Sequence, residues 1–436
     1  MTDMFRLAWF VNYGFGKYGW MDRWSGNVSR DVGKPELFMH NAKTLENAGF
    51  DYVMLEDAPV LPDVYQGSPD YAVRNGTFRL DPFPLVPLIA QATDHIGVIA
   101  TMTTSYTPPY QAARLTTTLD HLTDGRFGVN LVTSSPHAVG QNFGRDSHYE
   151  HDLRYEMADE WIAAVRALWD TWEPDAAVMD EHTGLFADPA KVHYANFEGT
   201  YHRTRGPLNT IPGPQHHPVI CQAGGSGKGK WFAGRNADTI MAGARGIDAM
   251  RAYRDDITSI ATEAGRDPSK IKVVHLVEPV LGDTMEEAEA RNRARNRAFE
   301  EDLESKIAAL SYYSGIDMSK FDLDEPLPDM SHEVNGHKSS YDQFNKIAQS
   351  GLTFREALRR RRGQETVDLV GTPEVVADQM EETMEQVGGD GFLVVLPFTR
   401  KNVAEVADGL APVLRRRGLI RDGFAHKTFK DNLQDF

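Results

Sequence analysis

Four short clusters of polar and glycine residues share one feature, which is that each follows directly on an apolar run. They are Glu56-Asp57, Thr103-Thr104-Ser105-Tyr106, Thr133-Ser134-Ser135 and Gln222-Ala223-Gly224-Gly225-Ser226-Gly227. Taken singly, each could be the N-cap of a following helix. Gathered on one face of a fold, they would line a pocket of hydroxyls, carboxylates and exposed amides, suited to a polar planar cofactor. The glycines lie between a strand and a helix, where free amides can hold a phosphate.

The segment from Gly224 to Lys230 also matches Gly-x-x-x-x-Gly-Lys. A phosphate-loop site would next require Ser or Thr as a magnesium ligand, whereas Trp231 follows here, and the strand from Ala237 to Met241 ends without an Asp. A nucleoside-triphosphate site is therefore not expected. His137, His148 and His151, with Asp146 and Asp152, raise the question of a metal. The spacing falls in a loop and is a weak signal, so no metal is expected. His216-His217 precede a strand and are expected to face solvent. Cys221 is the single cysteine, so it has no intrachain disulfide partner. It lies in the run Pro218-Val219-Ile220-Cys221, which predicts a buried strand residue rather than a nucleophile.

The elements that must position these groups alternate along the chain. Apolar runs at Phe5 to Tyr13, Asp51 to Leu55, Gly97 to Ser105 and Phe127 to Ser134 read as strands. Further strands are read at Pro218 to Ala223, Asp238 to Ala242, Ile271 to Leu281 and Gly391 to Pro397. Amphipathic stretches separate them. The clearest runs from Asp152 to Trp172, with Met157, Trp161, Ala164, Val165, Leu168 and Trp169 at helical spacing. Roughly eight strands, each followed by a helix, predict a single-domain (β/α)8 TIM barrel over residues 1–436. Chemistry in that fold sits at the C-terminal ends of the strands, where the four clusters fall. Stretches at about 58–82, 173–216 and 305–370 break the alternation. They are read as insertions in the βα loops that wall or cover the pocket.

Net charge is −17, which disfavours a phosphate backbone as partner. No run approaches the ~20 apolar residues of a spanning helix, so the expectation is a cytoplasmic protein that engages neither membrane nor nucleic acid.

Several longer motifs are more specific. Thr104-Ser105-Tyr106-Thr107-Pro108-Pro109-Tyr110 is followed by Ala113-Arg114 and Thr118-Leu119-Asp120-His121-Leu122. Then come Gly125-Arg126, Asn130-Leu131-Val132-Thr133-Ser134, Asn142-Phe143-Gly144, Glu150-His151-Asp152-Leu153-Arg154-Tyr155 and Asp188-Pro189-Ala190-Lys191-Val192-His193. Gly206-Pro207-Leu208, Gln222 to Ser226, Gly371-Thr372-Pro373 and Asp390-Gly391-Phe392 complete the set. In this combination the chain resembles the bacterial-luciferase-like flavin-dependent monooxygenases. More narrowly, it resembles the subgroup acting on nitrilotriacetate, EDTA, dibenzothiophene sulfone, dimethyl sulfide and long alkanes.

The resemblance implies a cofactor, FMN in its reduced form, FMNH2, supplied by a separate NAD(P)H:flavin reductase. It implies oxygenation or cleavage of a small organic substrate by O2 through a flavin peroxide, and assembly as a homodimer or homotetramer. Carried over residue by residue, FMN would meet Asp57, Thr104, His151, Tyr155, Gly225 and Ser226. Asn130, Thr133, Ser134, Ala223 and Gly224 would lie close by, and His151 would be near the reacting side. The substrate end departs from the family: Pro59-Val60-Leu61-Pro62 stands where alkane-type members carry a tyrosine. The segment from Asn12 to Trp20 is rich in aromatics that could stack on a ring substrate. Three alternatives remain open at this point: a riboflavin-degrading lyase using FMNH2 and O2, a deazaflavin-dependent reductase, and a flavin-binding protein without oxygenase activity.

Overall fold

Short apolar runs, too brief for helices and bounded by turns, form the staves of the molecule. In the computed structural model, which describes residues 4–11, 33–361, 363 and 365–436, they are β1 (Arg6–Val11), β2 (Tyr52–Leu55), β3 (Gly97–Thr103), β4 (Phe127–Val132), β5 (Val219–Gln222), β6 (Thr239–Ala242), β7 (Lys272–Val277) and β8 (Gly391–Val394). Each pairs in parallel with the next, and β8 pairs with β1, so the sheet closes into the expected barrel. Helices between the strands cover the outside. Four of them carry proline at the first helical turn, at Pro35, Pro82, Pro109 and Pro373. There the missing N–H costs nothing and the fixed φ already suits a helix.

Side chains alternate along each strand. Tyr52 and Met54 of β2 face the barrel interior with Ala8, Phe10, Ile99, Cys221, Val274 and Leu393. Val53 and Leu55 face outward into the layer beneath the helices. Cys221 is thus fully buried, as its strand context predicts, and burial pushes its thiol up to about 12.

One end of the barrel is shut by a feature the sequence reading did not anticipate. The short helix Phe429–Leu433 inserts Phe429 and Leu433 into the interior. Gly97 and Gly128 make room for it, since a Cβ on either would lie 2.5 Å or 3.2 Å from the Phe429 ring. A polar collar holds the plug. Asp51 accepts from Arg421 Nη2 at 2.7 Å and from the Leu7 amide at 2.9 Å, while Arg6 Nε donates to the Leu433 carbonyl at 2.7 Å. These groups lie at the N-terminal ends of the strands, so the barrel opens at the C-terminal ends.

The insertions at 58–82 and 305–370 extend βα connections, after β2 and after β7. The latter is more regular than its sequence suggested. Helices Leu303–Ser314, Lys338–Ala348 and Phe354–Arg360 pack around a core of their own that includes Leu310, Met318, Tyr341, Phe344, Phe354 and Leu358. Each is short and buries its apolar face against the others, so none carries a long periodic signal. The stretch 173–216 requires a correction. It follows the helix His151–Trp169 and precedes β5, so it is an αβ connection and not part of the mouth. It holds two small hairpins and packs on the outside of the helices. Glu160 accepts the amides of Thr200, Tyr201 and His202, and Trp172 Nε1 donates to the Leu208 carbonyl at 2.9 Å. The aromatic segment from Asn12 to Trp20 lies outside the described residues.

Candidate active site

At the open end, the helix His151–Trp169 begins beside the turn that follows β5. His151 and Tyr155 stand one turn apart, with ring centroids separated by 5.2 Å. The Tyr155 hydroxyl lies close to the side chains of Ser226, Thr133 and Gln222. Burial raises its pKa, and those polar neighbours oppose the rise. Three of the polar clusters separated in sequence, after β4, at the start of this helix and after β5, thus meet at one phenol.

The glycine turn is shaped by close approach. A Cβ on Gly224 would lie 2.2 Å from the Gly229 carbonyl oxygen, and one on Gly229 would lie 3.0 Å from the Tyr155 hydroxyl. Tyr253 donates its hydroxyl to the Gly224 carbonyl at 2.6 Å, fixing the turn. Ser226 is the N-cap of the helix Gly227–Asn236, its Oγ accepting from the Gly229 amide at 3.1 Å. Ala223 is half-buried and Gly225 exposed. Lys230 turns away to Asp256 at 2.5 Å and lies over the Tyr253 ring, so it does not act as a phosphate-loop lysine.

The ends of β3 and β4 form the adjoining wall. Thr104 is buried, its amide donating to the Val132 carbonyl at 2.8 Å. Ser134 adopts a left-handed conformation (φ 55°) and donates to Thr103 Oγ1 at 3.0 Å. Asn130 donates to Thr101 Oγ1 at 3.0 Å. Its Oδ1, like Gln222 Oε1, is buried without a hydrogen-bond partner among the described residues. Buried acceptors of this kind are costly unless a ligand or water satisfies them. Together with the unshielded glycine turn, they fit a flavin, whose ring edge presents N–H groups and whose side chain ends in a phosphate.

Asp57 stands across the mouth in a second cluster. Glu56 pairs with the nearly buried Arg79 at 3.0 Å, and Tyr312 from the long insertion lies close to Arg79, Glu56 and Asp57. Burial pushes the Asp57 carboxyl up to about 6, with Asp81 and Glu56 adding to the shift and Arg79 opposing it. The ionised form is therefore disfavoured in the folded state. That cost is absent below the ordinary carboxylate pKa near 4 and complete above about 6, so stability falls as pH rises through this window. Asp57→Asn, which stays neutral, should exceed wild type in stability by roughly 1–3 kcal/mol near pH 8, the gap closing as pH falls to about 4. Denaturant unfolding at both pH values checks this, and an equal gap at both would contradict it.

Several residues of the mouth escaped the sequence reading. His337 retains solvent access but is surrounded by protein, and burial drives its imidazole down to about 4 with the Arg154 guanidinium adding to the effect. Its ring meets Tyr313 edge-on at 5.3 Å. Arg154 is itself buried. It donates to the Tyr149 carbonyl at 2.8 Å and to the Asn335 carbonyl at 3.0 Å, tying the long insertion to the helix that carries Tyr155. His148, considered above as a metal ligand, instead bridges the Tyr106 hydroxyl (2.6 Å from Nδ1) and the Thr133 carbonyl (3.2 Å from Nε2). A carbonyl only accepts, so Nε2 carries the proton and Tyr106 donates to Nδ1. Arg154 lies within a motif already singled out, whereas Arg79, Tyr312 and His337 lie in insertions and had no pattern to mark them.

Residues 18–391 match a family model described as luciferase-like monooxygenase. A dibenzothiophene-sulfone monooxygenase of Rhodococcus erythropolis is 35% identical over 415 residues, 93% of this chain and 91% of that one. An N-acetyl-S-(2-succino)cysteine monooxygenase of Bacillus subtilis is 35% identical over 400 residues, covering 91% and 89%. Among solved structures, a riboflavin lyase with a modified FMN and its substrate riboflavin superposes with a TM-score of 0.88 at 30% identity, covering 100% of this chain and 96% of that one.

Proposed function

The chain belongs to the luciferase-like monooxygenase family, and we propose that it oxygenates a small organic substrate using O2 and reduced FMN delivered by a separate NAD(P)H-dependent flavin reductase. The observation that carries this reading is the meeting of Thr133, Tyr155, Gln222 and Ser226 beside the glycine turn. Ser226, Tyr155 and the amides of the turn would hold the phosphate. Asn130, Gln222 and Thr104 would present their polar atoms to the ring region, with Asp57 across the mouth and His151 toward the reacting side. Bound reduced FMN would supply the two electrons that let one oxygen atom enter the substrate while the other leaves as water.

The protein's own part is to bind, orient and exclude water. The insertion that brings Tyr312 and His337 to the mouth, held by Arg154, narrows the opening. With its imidazole driven down to about 4, His337 is uncharged at neutral pH and would meet a ligand there as a neutral hydrogen-bonding ring.

A second reading is favoured by the superposition on the riboflavin lyase: the substrate would itself be riboflavin, cleaved rather than hydroxylated. Incubating the protein with a flavin reductase, NADH, FMN and candidate substrates, riboflavin among them, separates the two readings. Oxygen-dependent product formation is expected, with label from isotopic dioxygen in the product. Turnover that persists without any reduced flavin would remove both readings.

A further inference from the structure

We propose that Asp170, His216 and His217 form a binding site for a divalent transition-metal ion of the zinc type, on the outside of the barrel and apart from the mouth. Asp170 caps the C-terminal end of the helix His151–Trp169, where the partial negative charge of the last carbonyls favours a cation. His216 and His217 lie on the loop leading into β5. Neighbouring side chains of an extended chain point to opposite sides. Here His216 takes the left-handed conformation (φ 59°), which is strained for a residue with a side chain. The consequence is that both imidazoles face the same way, 4.8 Å apart and 13° from parallel.

Their Nε2 atoms converge on a single oxygen, Asp170 Oδ1, at 3.1 Å and 2.6 Å. One ligand atom from each residue falls within 4.8 Å of the others. Around a tetrahedral zinc ion with bonds of about 2.0–2.1 Å, donor atoms stand about 3.3 Å apart, so the His216 contact already fits and the His217 contact must open by about 0.7 Å. Two imidazoles and a carboxylate suit zinc, with water in the remaining position. His216 Nδ1 is buried without a partner among the described residues, so the polar bonding of that ring runs through Nε2. Lys430 approaches His217 from the backbone side, donating to its carbonyl at 2.6 Å. Its charge opposes a cation and limits the affinity. A bound ion would pin the far end of the helix whose first turns carry His151 and Tyr155.

Calorimetric titration of the untagged, chelator-stripped full-length chain with zinc tests the proposal. Wild type should bind one zinc ion per chain at this site. His217→Ala and His216→Gly should each weaken that binding by at least tenfold. The glycine variant removes a ligand while accepting the left-handed backbone without strain, so its fold is preserved even if His217→Ala proves unstable. Cobalt should give the visible absorption of a four-coordinate ion in wild type and lose it in the variants. If wild type binds no zinc, or if the variants bind it as tightly as wild type, the two imidazoles serve only as N–H donors to Asp170 and the proposal is overturned.

Discussion

FMN should bind the Tyr155→Phe, Ser226→Ala double variant two to three orders of magnitude more weakly than wild type, while riboflavin binds both proteins almost equally. Each hydroxyl would lose a hydrogen bond to a charged phosphate, worth about 1.5–3 kcal/mol. The two hydroxyls stand side by side against Gly229, so their effects fall short of additive and a joint loss of about 3–4 kcal/mol is expected. Ser226 has a second task as the N-cap that accepts the Gly229 amide, and losing the cap costs about 1 kcal/mol of helix stability. Riboflavin lacks the phosphate and therefore reports any general damage to the site. Equal weakening of both ligands would mean that the turn had unfolded. Unchanged FMN affinity would mean that the phosphate binds elsewhere.

The other large effect concerns the floor of the barrel. Phe429→Ala should lower unfolding stability by about 3–5 kcal/mol, because the ring fills the interior beside Gly97 and Gly128 and cannot be replaced by collapse of closed strands. Phe429→Leu should cost less. The denaturant midpoint reads the change, and flavin affinity of the still-folded variant should be preserved, since the plug lies at the end opposite the mouth. A midpoint within experimental error of wild type would contradict the assignment of this residue as a core element.

The barrel was legible because its signal is repeated. Eight apolar runs separated by amphipathic stretches leave few topologies, and the polar clusters mark the C-terminal ends of the strands, where the barrel opens. Tyr155 and Ser226 stand out for a different reason, since each sits in a motif specific to a family, and the fold brings the two together against Gly229. What escaped were contacts between distant segments. Nothing local in Phe429 or Leu433 distinguishes a barrel plug from an ordinary terminal helix. His337 reaches the mouth only because Arg154 and Asn335 dock the insertion. The misplacement of 173–216 came from treating every break in periodicity as a lid, when the position of a break relative to its helix decides which end of the barrel it joins.

Anaerobic equilibrium titration with reduced FMN, oxidised FMN and a reduced deazaflavin most directly tests the claim that this barrel mouth is built for reduced FMN. The account predicts tight, saturable binding of reduced FMN, lost in the Tyr155 and Ser226 double variant, and no comparable binding of the deazaflavin. Tight deazaflavin binding without binding of FMN in either redox state would contradict it.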